Sequence, residues 1–251
     1  MVLAFSSLLG NCLLYPAEPK QRIPFPVHFL LEGLHNITSV GSDLRLRDND
    51  GVASLDGLRS VTSIGVVLEI ARNDALTSLE GLHKITLVKA KLEISGNHRL
   101  ASLEGLHNIT SIWGDLVIRG SGALTSLEGL RGVATLTAGL VVADNESLTS
   151  LEGLGGLTSV GSFADIKRND TMASLEGLHN ISTVRGPLII EDNRSLSSLT
   201  GLRALATVEG RLEITGNESL PTAGAEALLQ RLRDGGFTGS AAISGNKSGA
   251  D

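Results

Sequence analysis

Acidic side chains recur at a fixed interval along this chain. Glu32, Asp56, Glu80, Glu104, Glu128, Glu152 and Glu176 stand 24 residues apart, and Thr200 closes the series. Three residues after each acid the chain places His35, Arg59, His83, His107, Arg131, His179 and Arg203, with Gly155 interrupting the file. Carboxylates stacked one rung apart repel unless cations offset them. The two files therefore read first as a salt-bridge or backbone-capping stripe. A calcium or other cation stripe is the alternative chemistry, although calcium needs several oxygens converging on one ion and a single file offers few per rung. His83 and His107 on neighbouring rungs suggest a metal pair. A structural site needs about four ligands, however, and no Cys or third His falls at a motif spacing.

A second file runs Arg45, Glu69, Glu93, Val117, Val141, Asp165, Ile189, Glu213 at the same interval. Glu69 and Glu93 would be neighbours of the kind an acid/base pair requires, as in β-helical enzymes acting on polysaccharides. The units carry no long irregular insertions to build a substrate cleft, so the expectation is a non-catalytic protein without cofactor or metal. The charged members Arg45, Glu69, Glu93, Asp165 and Glu213 become the candidate binding face, within the outward positions around 45, 47 and 48 of each unit. A third file, Thr38, Thr62, Thr86, Thr110 and Thr158 with Ala134, Ser182 and Ala206, offers regular hydroxyl and methyl groups that suit ice or another flat lattice.

These files exist because the whole chain repeats. Leu31, Leu55, Leu79, Leu103, Leu127, Leu151, Leu175 and Leu199 are 24 apart without insertion, and a Gly-Leu pair follows each, from Gly33 to Gly201. Leu44 and Leu46 alternate with Arg45 and Arg47, the period-two signature of a half-buried strand, and the apolar pair returns in each unit, weakest at Ala164/Ile166. Val52, Leu55, Leu58, Val61 and Ile64 follow at intervals of three, as in a coil of tight turns and very short strands. Asn49, Asn73, Asn97, Asn145, Asn169, Asn193 and Asn217 form a column broken only at Ser121. Turned inward, such amides can satisfy backbone groups of the turn from coil to coil. Asn-X-Ser/Thr occurs at Asn36, Asn108, Asn145, Asn180, Asn193, Asn217 and Asn246, largely as a by-product of the repeat. One 24-residue loop cannot bury its own aliphatic side, so the units must stack.

Composition narrows the partners. Hydrophobic residues make up 41% but aromatics only 3%, which suits many thin aliphatic layers. A net charge of −6 gives no basic face for nucleic acid or an anionic membrane. No apolar run reaches the ~18 residues of a spanning helix. Cys12 is the single cysteine, which excludes an internal disulfide. The stretch from Val2 to Leu14 resembles a short export signal that lacks basic residues. Leu9-Gly10-Asn11-Cys12 distantly resembles a bacterial lipobox and makes Cys12 a candidate lipid anchor. Pro16, Pro19, Pro24 and Pro26 read as an extended linker. At the other end, Ala225, Leu228, Leu229 and Leu232 take helical spacing over 223–233, and 241–246 reads as a last strand with its Asn turn. The expected organisation is a leader and N-terminal cap over 1–29, a solenoid over 30–220 and a C-terminal cap over 221–251.

Written from these residues the unit is L-x-[LI]-x-x-N-x-x-L-x-S-L-E-G-L-x-x-[IV]-x-x-[VI]. It resembles the repeat of receptor L domains, the solenoid modules of insulin- and epidermal-growth-factor-type receptors. More closely it resembles bacterial and fungal surface proteins of the L-domain-like or leucine-rich kind. In ordinary leucine-rich repeats a leucine falls two residues after the Asn and another three before the strand pair. Here Val52 falls three after Asn49 and Val40 four before Leu44, which favours the L-domain type. The resemblance implies an all-β solenoid, a right-handed parallel β-helix of about eight 24-residue coils with a short C-terminal capping helix. It also implies no cofactor and recognition of a protein or glycan partner at or outside the cell surface. It carries over no ligand residues.

Overall fold

The computed structural model describes Val2–Phe5, Leu31 and residues 34–248. Cys12, the proline-rich stretch, Glu32 and Gly33 lie outside the described residues. The chain is a parallel β-solenoid of 24-residue coils with a C-terminal helix. Eight strands, Leu44–Arg47, Val67–Ala71, Lys91–Ser95, Leu116–Arg119, Leu140–Ala143, Ala164–Lys167, Leu188–Glu191 and Leu212–Thr215, pair in parallel in one long sheet. Register advances by 24 residues at each step, Leu44 against Leu68 and Leu92 against Leu116. Seven such steps separate Leu44 from Leu212. The strand Val2–Phe5 pairs antiparallel with Leu44–Arg47 at one end, and Ala241–Ser244 pairs in parallel with Leu212–Thr215 at the other. Just before each long strand, two-residue strands such as Ser39–Val40 and Ser63–Ile64 form two further sheets, of five and three strands.

Inside, the columns of three hold. Val52, Leu55, Leu58, Val61 and Ile64 are all buried, as are Leu44 and Leu46 and their equivalents. Burying each such side chain contributes roughly 1.5–3 kcal/mol. The Ser-Leu-Glu-Gly-Leu word divides its work residue by residue. The Ser hydroxyl accepts the acid's backbone N–H, as Ser78 does from Glu80 at 3.1 Å and Ser126 from Glu128 at 3.1 Å. Both leucines are buried, and a 3-10 turn such as Glu80–Leu82 or Glu128–Leu130 carries the chain round the corner. The glycine marks where successive coils touch. A Cβ on Gly81 would fall 1.8 Å from the Leu55 carbonyl oxygen, and one on Gly129 would fall 2.0 Å from that of Leu103.

The asparagines lock the corner after each long strand. Asn169 donates from Nδ2 to the Val142 carbonyl of the preceding coil at 2.9 Å and to Lys167 of its own coil at 3.1 Å. Its Oδ1 accepts from both N and Nδ2 of Asn145, at 3.1 and 3.2 Å. The same pattern links Asn193 to Asn217, and Asn246 in the cap extends it, accepting from Asn217 N at 3.1 Å. Asn145, Asn193 and Asn217 are therefore fully buried. Of the Asn-X-Ser/Thr sites, Asn36, Asn108 and Asn180 are the exposed ones. Ser121 breaks the ladder: it is buried, and its hydroxyl has no hydrogen-bond partner.

The column just before the asparagines was not anticipated from sequence. Asp48, Arg72, Gly96, Gly120, Asp144, Arg168, Asp192 and Gly216 all take positive φ, between 51° and 68°. Five of the eight are not glycine, although this left-handed region disfavours a Cβ. The register past residue 220 also follows the sequence reading. The helix Thr222–Asp234 buries Ala225, Leu228 and Leu232 against the last coil. No helix among the described residues is long and apolar enough to cross a membrane.

The ladder yields a paired prediction. Asn169→Ala orphans several buried groups, each costing roughly 1–3 kcal/mol, and should destabilise the protein by about 3 kcal/mol or more. Ser121→Asn should restore the missing links and stabilise by about 1 kcal/mol. Denaturant melts of both variants against wild type check the pair.

Candidate binding surface

The outer face of the long sheet is built by side chains that alternate with the buried leucines. Parallel register brings Arg45, Glu69, Glu93, Val117, Val141, Asp165, Ile189 and Glu213 into one file, each directly against the next. The five sequence-predicted residues therefore share a face but not a single cluster. Arg45, Glu69 and Glu93 sit together at one end. Asp165 lies beyond the valines, and Glu213 is two rungs further.

Glu69 and Glu93 are not open to solvent. They are only 5% and 6% exposed, because cations from the flanking files fold across them. Glu69 receives Arg47, and Arg45 approaches it at 3.6 Å. Glu93 receives Lys91 at 2.6 Å, Arg119 at 2.9 Å and the Ser95 hydroxyl at 3.1 Å. Burial pushes the Glu93 carboxyl up, but the hydrogen bonds from Lys91 and Arg119 outweigh it and hold the group below the usual carboxylate range. A carboxylate held ionised in this way has no proton to donate near neutral pH. Asp165 is similarly tied to Lys167 at 2.7 Å, and Glu213 to Arg211 at 3.2 Å.

Between the charged ends the face turns apolar. Val117 is buried, Val141 and Ile189 are half-buried, and the Phe163 ring lies over Gly139, where a Cβ would come within 2.5 Å of it. Along one rim, left-handed residues pair between coils. Arg72 clamps Asp48 at 2.5 and 2.9 Å, and Arg168 clamps Asp144 at 2.6 and 3.0 Å. The bidentate bond to Arg72 holds the Asp48 carboxyl below its ordinary value, and the same bond raises the Arg72 guanidinium. Along the other rim stands Trp113, 53% exposed. Its equivalents are Gly65, Lys89, Thr137 and Gly161, so the column pattern gave no reason to single it out.

The acid-and-base stripe lies on a different wall. Glu104 meets His107 of its own coil at 3.6 Å and Arg131 of the next at 3.1 Å. Glu176 repeats this with His179 at 3.7 Å and Arg203 at 3.3 Å. His83 turns its Nδ1 to the Glu80 carbonyl at 2.6 Å, away from any shared site with His107. Among the described residues no three His, Cys, Asp or Glu side chains group as a metal site. The threonine file is exposed, and Thr62 and Thr110 donate their hydroxyls to the carbonyls of Thr38 and Thr86 one coil earlier, at 3.0 and 3.3 Å.

The fold and these surfaces define a parallel β-solenoid repeat protein. No family model matches the chain, and no curated protein or solved structure is significantly similar to it.

The buried carboxylate gives a pH prediction. Because the folded Glu93 value is depressed, its contribution is fully present above the unfolded value near 4.5 and is lost as pH falls through the folded value. Glu93→Gln should cost about 1–3 kcal/mol at pH 7 and much less at pH 3. Urea midpoints for both proteins at the two pH values check this. An equal loss at both would contradict the assignment.

Proposed function

We propose that the protein is a non-catalytic binding module of the receptor L-domain type. In this reading it presents the outer face of its long sheet to a protein or glycan partner at the cell surface. What supports the reading is the contrast between the two sides of one sheet. The inner columns keep leucine, isoleucine or valine in nearly every coil. The outer file changes from paired charge at Arg45, Glu69 and Glu93 to Val117 and Val141, then to Asp165, Ile189 and Glu213. Folding fixes the first side and leaves the second free to vary. A face of eight rungs at ~4.8 Å spacing extends on the order of 40 Å, enough for a standard interface. Recognition then works by surface complementarity, with the ion-paired end supplying register and the apolar interval supplying contact area.

The test follows from the half-buried residues on that face. The Val141→Arg/Ile189→Arg double variant places two cations in the apolar interval without touching the core. Screened against arrays of extracellular proteins and soluble glycans, the wild type should retain a ligand that the double variant loses by about tenfold or more. Equal binding by both, with unchanged thermal melts, would remove the sheet face from the proposal.

A further inference from the structure

We propose that Trp113 is the stacking platform of a glycan-binding subsite at the edge of the long sheet, a proposal that rests on the binding-module reading above. The indole is the protein's single tryptophan and one of two large apolar side chains exposed among the described residues, the other being Val66. Leaving that much aromatic surface in water forgoes burial that the adjacent core supplies everywhere else. Its mounting is rigid. The Trp113 N–H donates to the Val88 carbonyl at 3.0 Å, and its carbonyl accepts the Thr137 hydroxyl from the next coil. Gly114 follows so closely on the preceding coil that a Cβ there would lie 1.8 Å from the Ala90 carbonyl oxygen. The backbone on both sides of the ring is thus pinned, so only the indole's own side-chain torsions remain to be ordered on binding.

The surroundings select the ligand class. An aromatic anchor in a protein interface sits within a contiguous, desolvated apolar patch. Trp113 has none: its register neighbours are Lys89 and Thr137, both exposed, and Val66 is two coils away. Ser111 and Thr135, register partners on the short strands just before this position, add two hydroxyls to the polar frame, with half-buried Leu87 on the other side of Ser111. A pyranose ring has the matching chemistry, with one face of C–H groups for the indole and a rim of hydroxyls for the polar frame. One flat ring among hydrogen-bonding groups suffices for a sugar and is poor for a protein surface.

Having one tryptophan makes the test direct, because the emission of the full chain reports this site alone. The probes are soluble cello-, chito-, xylo- and manno-oligosaccharides and oligogalacturonate, titrated into the wild-type protein. The proposal expects a saturable shift or quench with at least one class. In calorimetry, Trp113→Ala should then lose about tenfold or more in affinity for that sugar at an unchanged melting temperature. Trp113→Phe should retain part of the binding. Absence of any spectral change across all five classes, or full binding by Trp113→Ala, would overturn the subsite. If Trp113→Ala binds normally while the sheet-face double variant does not, the subsite fails and the sheet-face reading stands. A partner bound through an intact Trp113 but unaffected by any sugar also counts against the glycan assignment.

Discussion

The hydrogen bond from one asparagine amide to the next is the interaction on which this structure depends. A parallel sheet edge leaves every coil with a sharp corner at the end of its strand, where backbone groups turn away from their ladder partners. At Asn73, Asn169, Asn193 and Asn217 one Asn side chain does three things at once. Asn193 binds the strand carbonyl of Ile166 one coil before at 2.9 Å, the carbonyl of Glu191 in its own coil at 3.1 Å, and the Oδ1 of Asn217 in the next at 3.2 Å. The corner cannot drift in register without breaking all three. That is why the 24-residue period tolerates no insertion through eight strands. At a different corner, glycine is required because Gly57, Gly81 and their equivalents press against the backbone of the preceding coil.

The corner also has a backbone cost. Residues entering it adopt positive φ in every coil, including Arg72 and Arg168, for which such a conformation is strained. The two arginines recover part of that cost through bidentate bonds to Asp48 and Asp144, residues in the same conformation one coil earlier. Chemistry on the outside of the solenoid thus follows from geometry on the inside. Coil-to-coil ion pairs form within a column, as at Arg168 and Asp144, and between adjacent columns, as at Arg47 and Glu69 on the sheet face and Arg203 and Glu176 on the acid stripe.

Legibility from sequence followed the periodicity. Inner columns could be read because stacking gives Leu55, Leu79 and Leu103 the same environment, so one residue type recurs. The Asn column and the strand pairs are readable for the same reason, whereas the capping helix is readable from the helical spacing of Ala225, Leu228 and Leu232. The burial of Glu69 and Glu93 was not. It depends on long side chains, Arg47, Lys91 and Arg119, reaching across from neighbouring files, and spacing along the chain does not encode where a flexible cation folds. The left-handed column escaped notice because it mixes Asp, Arg and Gly. Only the glycines carry a recognisable signal, and Asp48 or Arg168 reads as ordinary surface charge. Trp113 was invisible because a column analysis rewards recurrence, and its significance lies in occurring once.

Residue-resolved hydrogen–deuterium exchange on the intact protein tests the amide ladder most directly. The backbone N–H groups of Asn73, Asn145, Asn169 and Asn193 donate to the side chain of the next coil and should exchange as slowly as strand amides. Asn97 faces Ser121, whose hydroxyl takes no hydrogen bond, and its amide should exchange markedly faster than those of Asn73 and Asn145. Rapid exchange along the whole column, or protection of Asn97 equal to its neighbours, would contradict the claim that this ladder holds the solenoid in register.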